Sequence, residues 1–454
     1  MSKGLDLQSL SEFAVQEGDA YVALALHPFA DQKIQAELEK LVFERKRLKL
    51  TFAAAPYTPK SVLTLLANED DEQVRLRLTK NPAMPPELLA QLFKNASPAE
   101  IKNLAAHRRT PVEILEAIDW HDQVAIRAAL CSNSHTPLGI LRELVVDSSP
   151  AEKKGIVTNS NADVALLTQL WQDGDKFVQG EVAAHATCPE ALREEALVHS
   201  DSLVRRKLAA NETLDIDRLL RLMKDEDAQV RAAATGNTVL EESYRDGVED
   251  DPSIRVRRTE AKREDLSARI IDSLADDEDH WVRRWVARQP AASEQVLERL
   301  SRDDVMEVRR AVSRNPNCPD NILERLAQDE ESWVRAGVAL REDLALQILA
   351  GLEGDEDIDV KSAVGRNPGT SEQVLLAIAN HENKDVRRSV IVNPNVPDAA
   401  LIKLQDDPYP LNRAILAGHP NCLTENLWFL LKDPEPQVRY TAGKALAVRC
   451  QAAV

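Results

Sequence analysis

The sequence has 454 residues, of which 43% are hydrophobic and 29% are charged, and its formal net charge is −18 at pH 7. This composition is typical of a soluble, globular protein with ample apolar material for a core. The acidic balance argues against non-specific nucleic-acid binding as the main function, although it allows a local basic surface.

No apolar run approaches the ~20 residues that a membrane span needs. The first residues, MSKGLDLQSLSEF, lack the hydrophobic core of a signal peptide. We therefore expect a cytoplasmic protein without membrane contact. The cysteines are far apart and form no CxxC pair, which favours a reducing compartment and predicts neither disulfides nor a zinc site. They are Cys131, Cys188, Cys318, Cys422 and Cys450.

The first predicted element, residues 1–47, is a degenerate helical cap, because this segment fits the pattern of the later chain poorly. Its charged outer stretch is ELEKLVFERKRLK, residues 37–49. A repeat array needs such a polar end for solubility. Residues 48–454 then form one continuous repeat domain.

A repeat of 26 residues organises this domain. The string VRRAVSRNPNCP at 308–319 returns as VRRSVIVNPNVP at 386–397, which is 3 × 26 = 78 residues later. We take Val308 as the origin of its repeat, and steps of 26 from Leu48 to Val438 give sixteen origins. Nearly all are aliphatic, and the exceptions are Glu100, Glu152 and Asn412.

Each repeat predicts two helices and a turn. PDNILERLAQD (319–329) has apolar residues at helical spacing after a proline, and EESWVRAGV (330–338) buries Val334 and Val338. We predict a first helix of about three turns and a second helix short enough to be partly 3₁₀. An Asn in the left-handed conformation and a Pro then end the repeat. One such pair cannot bury its apolar stripe alone, so the predicted fold is an all-α solenoid of about sixteen repeats.

The columns D-x-x-x-x-V-R-x-x-V, N-P-x-x-P and L-x-x-L resemble the leucine-rich repeat variant family of bacterial proteins, which is related in shape to HEAT and armadillo arrays. Residues 277–290 and 303–319 carry the motif best. The resemblance covers most of the chain and implies a protein that holds other molecules. It also raises an iron–sulfur cluster on N-terminal cysteines, which is not carried over, because no cysteine precedes Cys131.

Positions +2 and +6 from the origin share one helix face and predict the binding site. They are often small, but three consecutive repeats hold Arg or Lys at both positions, and Arg366 and Arg388 extend this row. Three tryptophans lie beside that face, at positions −1 and +3. Arg and Trp are common anchors of interfaces and also suit phosphate and base contacts. The predicted site residues are Arg258, Lys262, Trp281, Arg284, Trp285, Arg288, Arg310, Arg314 and Trp333.

A structural interpretation competes with this site. The arginines at +1 are expected to bond the turn aspartates of their own or neighbouring repeats. The +2 and +6 arginines can equally neutralise the acidic segments DDEDH and RDDVMEV across repeats, and the residue pattern leaves both roles open. Cys188, Cys318 and Cys422 share one position, too far apart for a common metal, and His121, His199 and His381 replace turn aspartates.

No catalytic motif, phosphate-binding loop or paired metal ligand is present in the sequence, so we predict no enzyme activity, no cofactor and no metal. The first functional hypothesis is a scaffold that holds a protein, through an acidic segment, on the concave face. The alternative is nucleic-acid binding through a basic groove in the 256–314 region, disfavoured by the charge of −18. A metal or redox role is the third and the weakest.

Overall fold

Helices form all the regular secondary structure of the described residues. The computed structural model describes residues 6–30, 34–35, 38, 46–56, 58–121 and 123–452. Most of the charged stretch predicted at 37–49 therefore lies outside the described residues. Within them no helix is long and apolar enough to cross a membrane.

Two compact units divide the described chain. Unit I comprises residues 45–265, and unit II comprises residues 266–454 together with residues 1–44. Each unit is an α-solenoid in which a first helix (helix A) and a second helix (helix B, with the origin residue) alternate. Successive B helices pack side by side, and each A helix packs on the B helices beside it. The predicted all-α repeat fold is thus confirmed.

Unit I starts with a B helix and alternates to residue 261. Its B helices are Lys46–Ala54, Glu72–Leu78, Pro98–Ala106, Val124–Ser132, Pro150–Val157, Lys176–Ala184, Ser202–Ala209, Ala228–Thr235 and Ile254–Ala261. Its A helices are Lys60–Ala67, Pro86–Phe93, Val112–Ala117, Leu138–Leu144, Val164–Asp173, Glu190–Leu197 and Ile216–Leu222. In the repeat before Ile254, two 3₁₀ turns, Glu242–Tyr244 and Val248–Asp250, replace helix A.

Unit II begins, after residue 265, with an A helix. Its A helices are Ala268–Leu274, Glu294–Leu300, Asp320–Leu326, Leu346–Leu352, Glu372–Ile378, Asp398–Leu404 and Thr424–Leu430. Its B helices are His280–Ala287, Met306–Ser313, Ser332–Ala339, Ile358–Arg366, Lys384–Ile391, Pro410–Gly418 and Pro436–Ala452. Its N-terminal residues form helices Leu7–Gln16 and Ala20–Leu26 and a 3₁₀ turn, His27–Phe29.

The aliphatic columns build the core. Ile322, Leu323 and Leu326 on one A helix and Val334 and Val338 on the next B helix are all at most 2% exposed, as their spacing predicts. Each A helix of unit II has seven residues, about two turns rather than the predicted three. After the helix, the Asp329 side chain accepts the backbone N–H of Glu331 and holds a tight turn before helix B.

An arginine ladder joins successive repeats. Arg309, at position +1, donates from Nε and Nη2 to both oxygens of Asp329 in the next repeat, at 2.7 and 2.9 Å. Its Nη1 donates to the carbonyl of Asp303 at 2.9 Å. The same two-oxygen pairing occurs for Arg205–Asp225, Arg231–Asp251, Arg283–Asp303, Arg335–Asp355, Arg387–Asp407 and Arg413–Asp433. The structural role expected for this column is confirmed.

A second ladder runs through the Asn column. The amide of Asn315 donates to the carbonyls of Ala287 and Gln289 in the preceding repeat, and its oxygen accepts the N–H of Asn317. The predicted left-handed conformation is wrong: Asn367 has φ −68° and ψ 127°, and Asp147 is the only non-glycine described with positive φ. The asparagine is there because its side chain bonds across repeats, which an extended backbone allows.

Two of the three polar origins are also explained by the ladder. Glu100 accepts from Arg75 of the preceding repeat at 3.0 Å and forms a capping box with Ser97. Glu152 pairs with Arg127 and Ser149 in the same way. In these two repeats the carboxylate that accepts from the arginine lies at the origin and not in the turn, which explains why a glutamate replaces the usual valine.

The N-terminal residues pack against the end of the chain within unit II. Helix Ala20–Leu26 contacts helix Pro436–Ala452, and Arg439 donates to Asp19, which also caps the shorter helix. A Cβ at Gly443 would lie 3.3 Å from Ala25, so the two helices approach closely. Asp19 thus supplies the carboxylate that the next repeat supplies to the other ladder arginines.

Candidate functional site

The predicted arginine pairs lie on two consecutive B helices of unit II. Arg284 is on helix His280–Ala287, and Arg288 is its C-cap residue. Arg310 and Arg314 hold the same places on helix Met306–Ser313. Because both positions of a pair are four residues apart, each pair projects from one side of its helix.

The four arginines meet at one cavity of about 380 Å³. Its lining consists of Arg284, Arg288, Arg310, Arg314, Glu307 and Ala311. Four guanidinium groups and one carboxylate leave a local charge of 4 − 1 = +3, in a protein whose net charge is −18. The cavity is therefore a positive site on an acidic protein.

These arginines are unpaired within the part of the chain that the structure describes. An arginine at +1 pairs with the acidic segment RDDVMEV instead, since Arg283 binds Asp303. None of the four cavity arginines has a carboxylate within salt-bridge distance among the described residues. Charge compensation by neighbouring repeats therefore does not account for Arg284, Arg288, Arg310 and Arg314.

Three tryptophans hold the guanidinium groups by their faces. Arg284 lies 4.8 Å from the ring centroid of Trp281, and Arg288 lies 5.0 Å from that of Trp285. Arg310 lies 4.5 Å from Trp333, which is on the next B helix. Trp281 and Trp333 are 39% and 50% exposed, an unusual position for rings of this size. We call these four arginines and three tryptophans the arginine–tryptophan surface.

Arg310 is the most constrained of the four. Burial, with Arg314 and Arg284 close by, lowers the pKa of its guanidinium from the ordinary value. Its Nε is buried and has no hydrogen-bond partner among the described residues. A buried donor without an acceptor costs free energy, so Arg310 is held in this position at a cost to the fold.

The other predicted residues of the row lie elsewhere. Arg258 is on helix Ile254–Ala261 of unit I and Lys262 is its C-cap residue, so the site is described from the seven residues of unit II. Arg388 donates to Asn412 and pairs with Asp385, and is therefore structural. Arg366 is the last residue of helix Ile358–Arg366 and is exposed.

Two contributions to the site were not predicted. Glu307 lines the cavity, and Asp359 accepts a 2.9 Å hydrogen bond from the Trp333 indole. Both occupy position −1, the column that holds Trp281 and Trp333. Reading that whole column, rather than its aromatic members alone, would have found them.

A second cavity of about 330 Å³ adjoins the first and shares Arg314 with it. Pro316, Gly337 and Leu340 form its apolar part, and Arg341 is tied to Asp343 at its edge. The shared arginine therefore has a positive cavity on one side and a partly apolar one on the other.

The cysteines do not contribute to this surface. All five are buried and free, and burial raises the pKa of the Cys188, Cys318 and Cys422 thiols to about 11. Among the described residues no group of His, Cys, Asp and Glu has an arrangement that could hold a metal ion. The predicted turn role of the histidines is confirmed for His199 and His381, whose Nδ1 atoms accept the N–H two residues on.

The family model described as leucine rich repeat variant matches residues 306–331, which is one repeat and includes Arg310 and Arg314. No curated protein matches the chain significantly. Among solved structures, the chain is similar to a leucine-rich repeat variant with a novel repetitive structural motif, at 24% identity and TM-score 0.37 over 49% of this chain and 88% of that chain.

Two further structures match at lower identity. A chain from the structure of Kap95p with RanGDP shares 11% identity at TM-score 0.34, over 96% of this chain and 66% of that chain. A chain from the Pds5–Scc1 complex shares 13% identity at TM-score 0.22, over 99% and 87%. The matched repeat and its recurrence every 26 residues show that the chain is a helical-repeat protein carrying the leucine-rich repeat variant motif.

Proposed function

We propose that this protein is a non-enzymatic binding scaffold that holds an acidic segment of a protein partner on the arginine–tryptophan surface. The observation that carries this proposal is the set of four arginines that meet at one cavity without a carboxylate partner among the described residues. A folded protein leaves such a cluster of like charges uncompensated at a cost in stability, which favours a role outside the fold.

The chemistry of the surface supports a protein partner. Arg and Trp are enriched among the residues that dominate binding energy at protein interfaces. Each of the three stacked guanidiniums uses its face for the tryptophan, so its N–H edges are left for acceptors on a ligand. Because the rest of the protein is acidic, an acidic segment would be attracted to this place and repelled elsewhere.

A capture experiment tests the proposal. The variant Arg284→Glu, Arg288→Glu, Arg310→Glu and Arg314→Glu should lose the partners that the wild-type protein captures from native lysate. A matched control changes four exposed lysines to Glu, with the same change in charge. They are Lys94, Lys403, Lys432 and Lys444, and none makes an ion pair with a described residue.

The control should retain every partner, and cross-linking should place an acidic segment of the captured protein near Trp281 or Trp333. Thermal unfolding of both variants should stay close to that of the wild type, because neither set of side chains pairs with a carboxylate in the described structure. Equal capture by the wild type and the arginine variant would refute the proposal.

Nucleic-acid binding is the second candidate, and the same arginines beside tryptophans favour it, since guanidinium groups bind phosphates and aromatic rings stack on bases. The net charge of −18 opposes it. A gel shift at low salt distinguishes the two: phosphate contacts would produce a shift that weakens steeply as salt rises. No shift at micromolar protein eliminates this candidate.

A further inference from the structure

The charge of the cavity identifies the kind of anion that it suits. Its lining carries four guanidiniums and one carboxylate, Glu307. A side-chain carboxylate brings one negative charge and two oxygens. A phosphoryl group on serine or threonine brings about −1.5 to −2 and three acceptor oxygens. The second group offsets more of the local charge of 4 − 1 = +3 and accepts from more of the guanidiniums.

The stacked arginines are arranged for such a group. Arg284, Arg288 and Arg310 lie 4.8, 5.0 and 4.5 Å from tryptophan centroids. Stacking restricts the rotation of each guanidinium and leaves its in-plane N–H groups unused. Planar pairs of N–H groups match phosphate oxygens two at a time, so less conformational freedom is lost when the ligand binds.

Arg310 differs from the ladder arginine beside it. Its Nε is buried and lacks an acceptor among the described residues, although its ring contact with Trp333 fixes the guanidinium. A ladder arginine such as Arg309 has its Nε satisfied by an aspartate at 2.7 Å. The fold thus commits the Arg309 guanidinium to Asp329, whereas no carboxylate of the described residues pairs with that of Arg310.

We propose that Arg284, Arg288, Arg310 and Arg314 bind the phosphoryl group of a phosphorylated serine or threonine in the protein partner. The proposal rests on the proposed function and specifies its acidic segment. The adjoining cavity with Pro316, Gly337 and Leu340 receives a small apolar residue beside the phosphorylated one, since Arg314 borders both cavities.

Titration of the full chain with defined probes tests the phosphoryl preference. The probes are inorganic phosphate and three pentapeptides, acetyl-Ala-Gly-X-Gly-Ala-amide, in which X is Ser, Glu or phosphoserine. Calorimetry and tryptophan fluorescence measure binding, since Trp281, Trp285 and Trp333 are half of the six tryptophans. The phosphopeptide should bind about tenfold or more tightly than the Glu peptide, and inorganic phosphate should compete with it.

Single substitutions separate geometry from charge. Arg310→Gln should weaken phosphopeptide binding about tenfold or more, and Arg310→Lys should weaken it by an intermediate factor, because lysine keeps the charge but loses the planar pair of donors. Lys403→Gln removes an exposed positive charge elsewhere in unit II and should change nothing. Unchanged circular dichroism shows that each variant is folded.

The outcomes keep this inference apart from the proposed function. Equal binding of the Glu and phosphoserine peptides overturns the phosphoryl preference but leaves an acidic partner. Capture from lysate that survives phosphatase treatment of the lysate, yet fails with the four-arginine variant, overturns it in the same way. A single-stranded oligonucleotide that binds more tightly than the phosphopeptide overturns both proposals and indicates nucleic acid.

Discussion

The same substitution should destabilise the fold at one of two adjacent arginines and leave it nearly unchanged at the other. Arg309→Met removes a ladder arginine, and Arg310→Met removes a cavity arginine one residue later. Methionine keeps most of the apolar stem of each side chain in a helix-compatible form. The difference between the two variants therefore reports on the charged groups and not on helix propensity.

The cost of Arg309→Met follows from what Asp329 loses. The carboxylate gives up two charge-assisted hydrogen bonds, of 2.7 and 2.9 Å, and keeps one backbone N–H from Glu331 at 3.0 Å. The two side chains are 11% and 8% exposed, so water reaches the abandoned carboxylate poorly. Breaking a buried ion pair on one side costs about 3–5 kcal/mol, and the retained N–H bond places the expected cost near 3 kcal/mol.

Arg310→Met should cost almost nothing or stabilise the fold. It loses the contact with Trp333, worth about 0.5–1 kcal/mol at an exposed site. It also loses a weaker attraction to Asp359, but it removes repulsion from Arg284 and Arg314 and the buried, unpartnered Nε. These changes nearly cancel, so the free energy of unfolding should stay within about 0.5 kcal/mol of the wild type.

Native-state hydrogen exchange over residues 306–335 is the suitable assay, because repeat arrays can unfold in parts. Arg309→Met should lower protection there about a hundredfold, and Arg310→Met should leave it nearly unchanged. The double variant Arg309→Met with Asp329→Asn should regain part of the loss, since the amide carries no stranded charge. Equal effects of the two single variants would refute the assignment of ladder and cavity roles.

The remaining predictions concern the ladders and the packed ends. The urea midpoint should fall as pH drops from about 4 towards 2. Hydrogen bonds from Arg309 and the Glu331 N–H outweigh burial and lower the pKa of Asp329 in the folded protein, so the stability that this carboxylate contributes is complete only above its pKa in the unfolded chain. A flat midpoint across this range would contradict the prediction. Other ladder carboxyls share the lowered pKa: Asp225, Asp251, Asp355 and Asp407. Glu100→Val places the usual aliphatic residue at the origin, yet it should destabilise unit I by about 2 kcal/mol, because Arg75 and Ser97 lose their partner. Urea unfolding measures this change, and a stabilised variant would show that the capping box is dispensable. Asn315→Ala should cost about 2 kcal/mol by the same measurement, whereas the exposed Asn380→Ala should cost little. Asp19→Asn should raise hydrogen exchange in helix Pro436–Ala452 selectively, and an unchanged pattern there would count against the role of the Arg439 contact.

The fold was predictable because the same residue pattern recurs in sixteen repeats. The aliphatic columns place Val308, Leu323 and Leu326 in a core, and no single departure obscures a period of 26. The finer geometry was not predictable from propensity. Asn367 has an extended backbone because its amide bonds the preceding repeat, and a contact between repeats does not appear in the local sequence.

The site was predictable in its members and not in its physical character. Periodicity placed Arg284 with Arg288, and Arg310 with Arg314, on one face of their respective helices. The structure brings all four arginines to one cavity. The sequence left open whether they neutralise DDEDH and RDDVMEV. That question depends on which arginine column reaches the next turn, and only the helix orientation decides it: position +1 reaches Asp329 and position +2 does not.

The repeat therefore separates two uses of one residue type. Arginines at position +1 pair with a carboxylate in nearly every repeat that has one, so this column serves the fold. Arg75 and Arg127 pair with a glutamate at the next origin, Glu100 and Glu152, instead of a turn aspartate. Position +2 does not reach the turn aspartate of the next repeat: Arg388 pairs with Asp385 of its own helix, and Arg284 and Arg310 have no carboxylate within salt-bridge distance among the described residues. An arginine without an acceptor in the fold keeps its N–H groups available for water or for a ligand. The cavity beside Arg310 is therefore where we propose that a ligand binds.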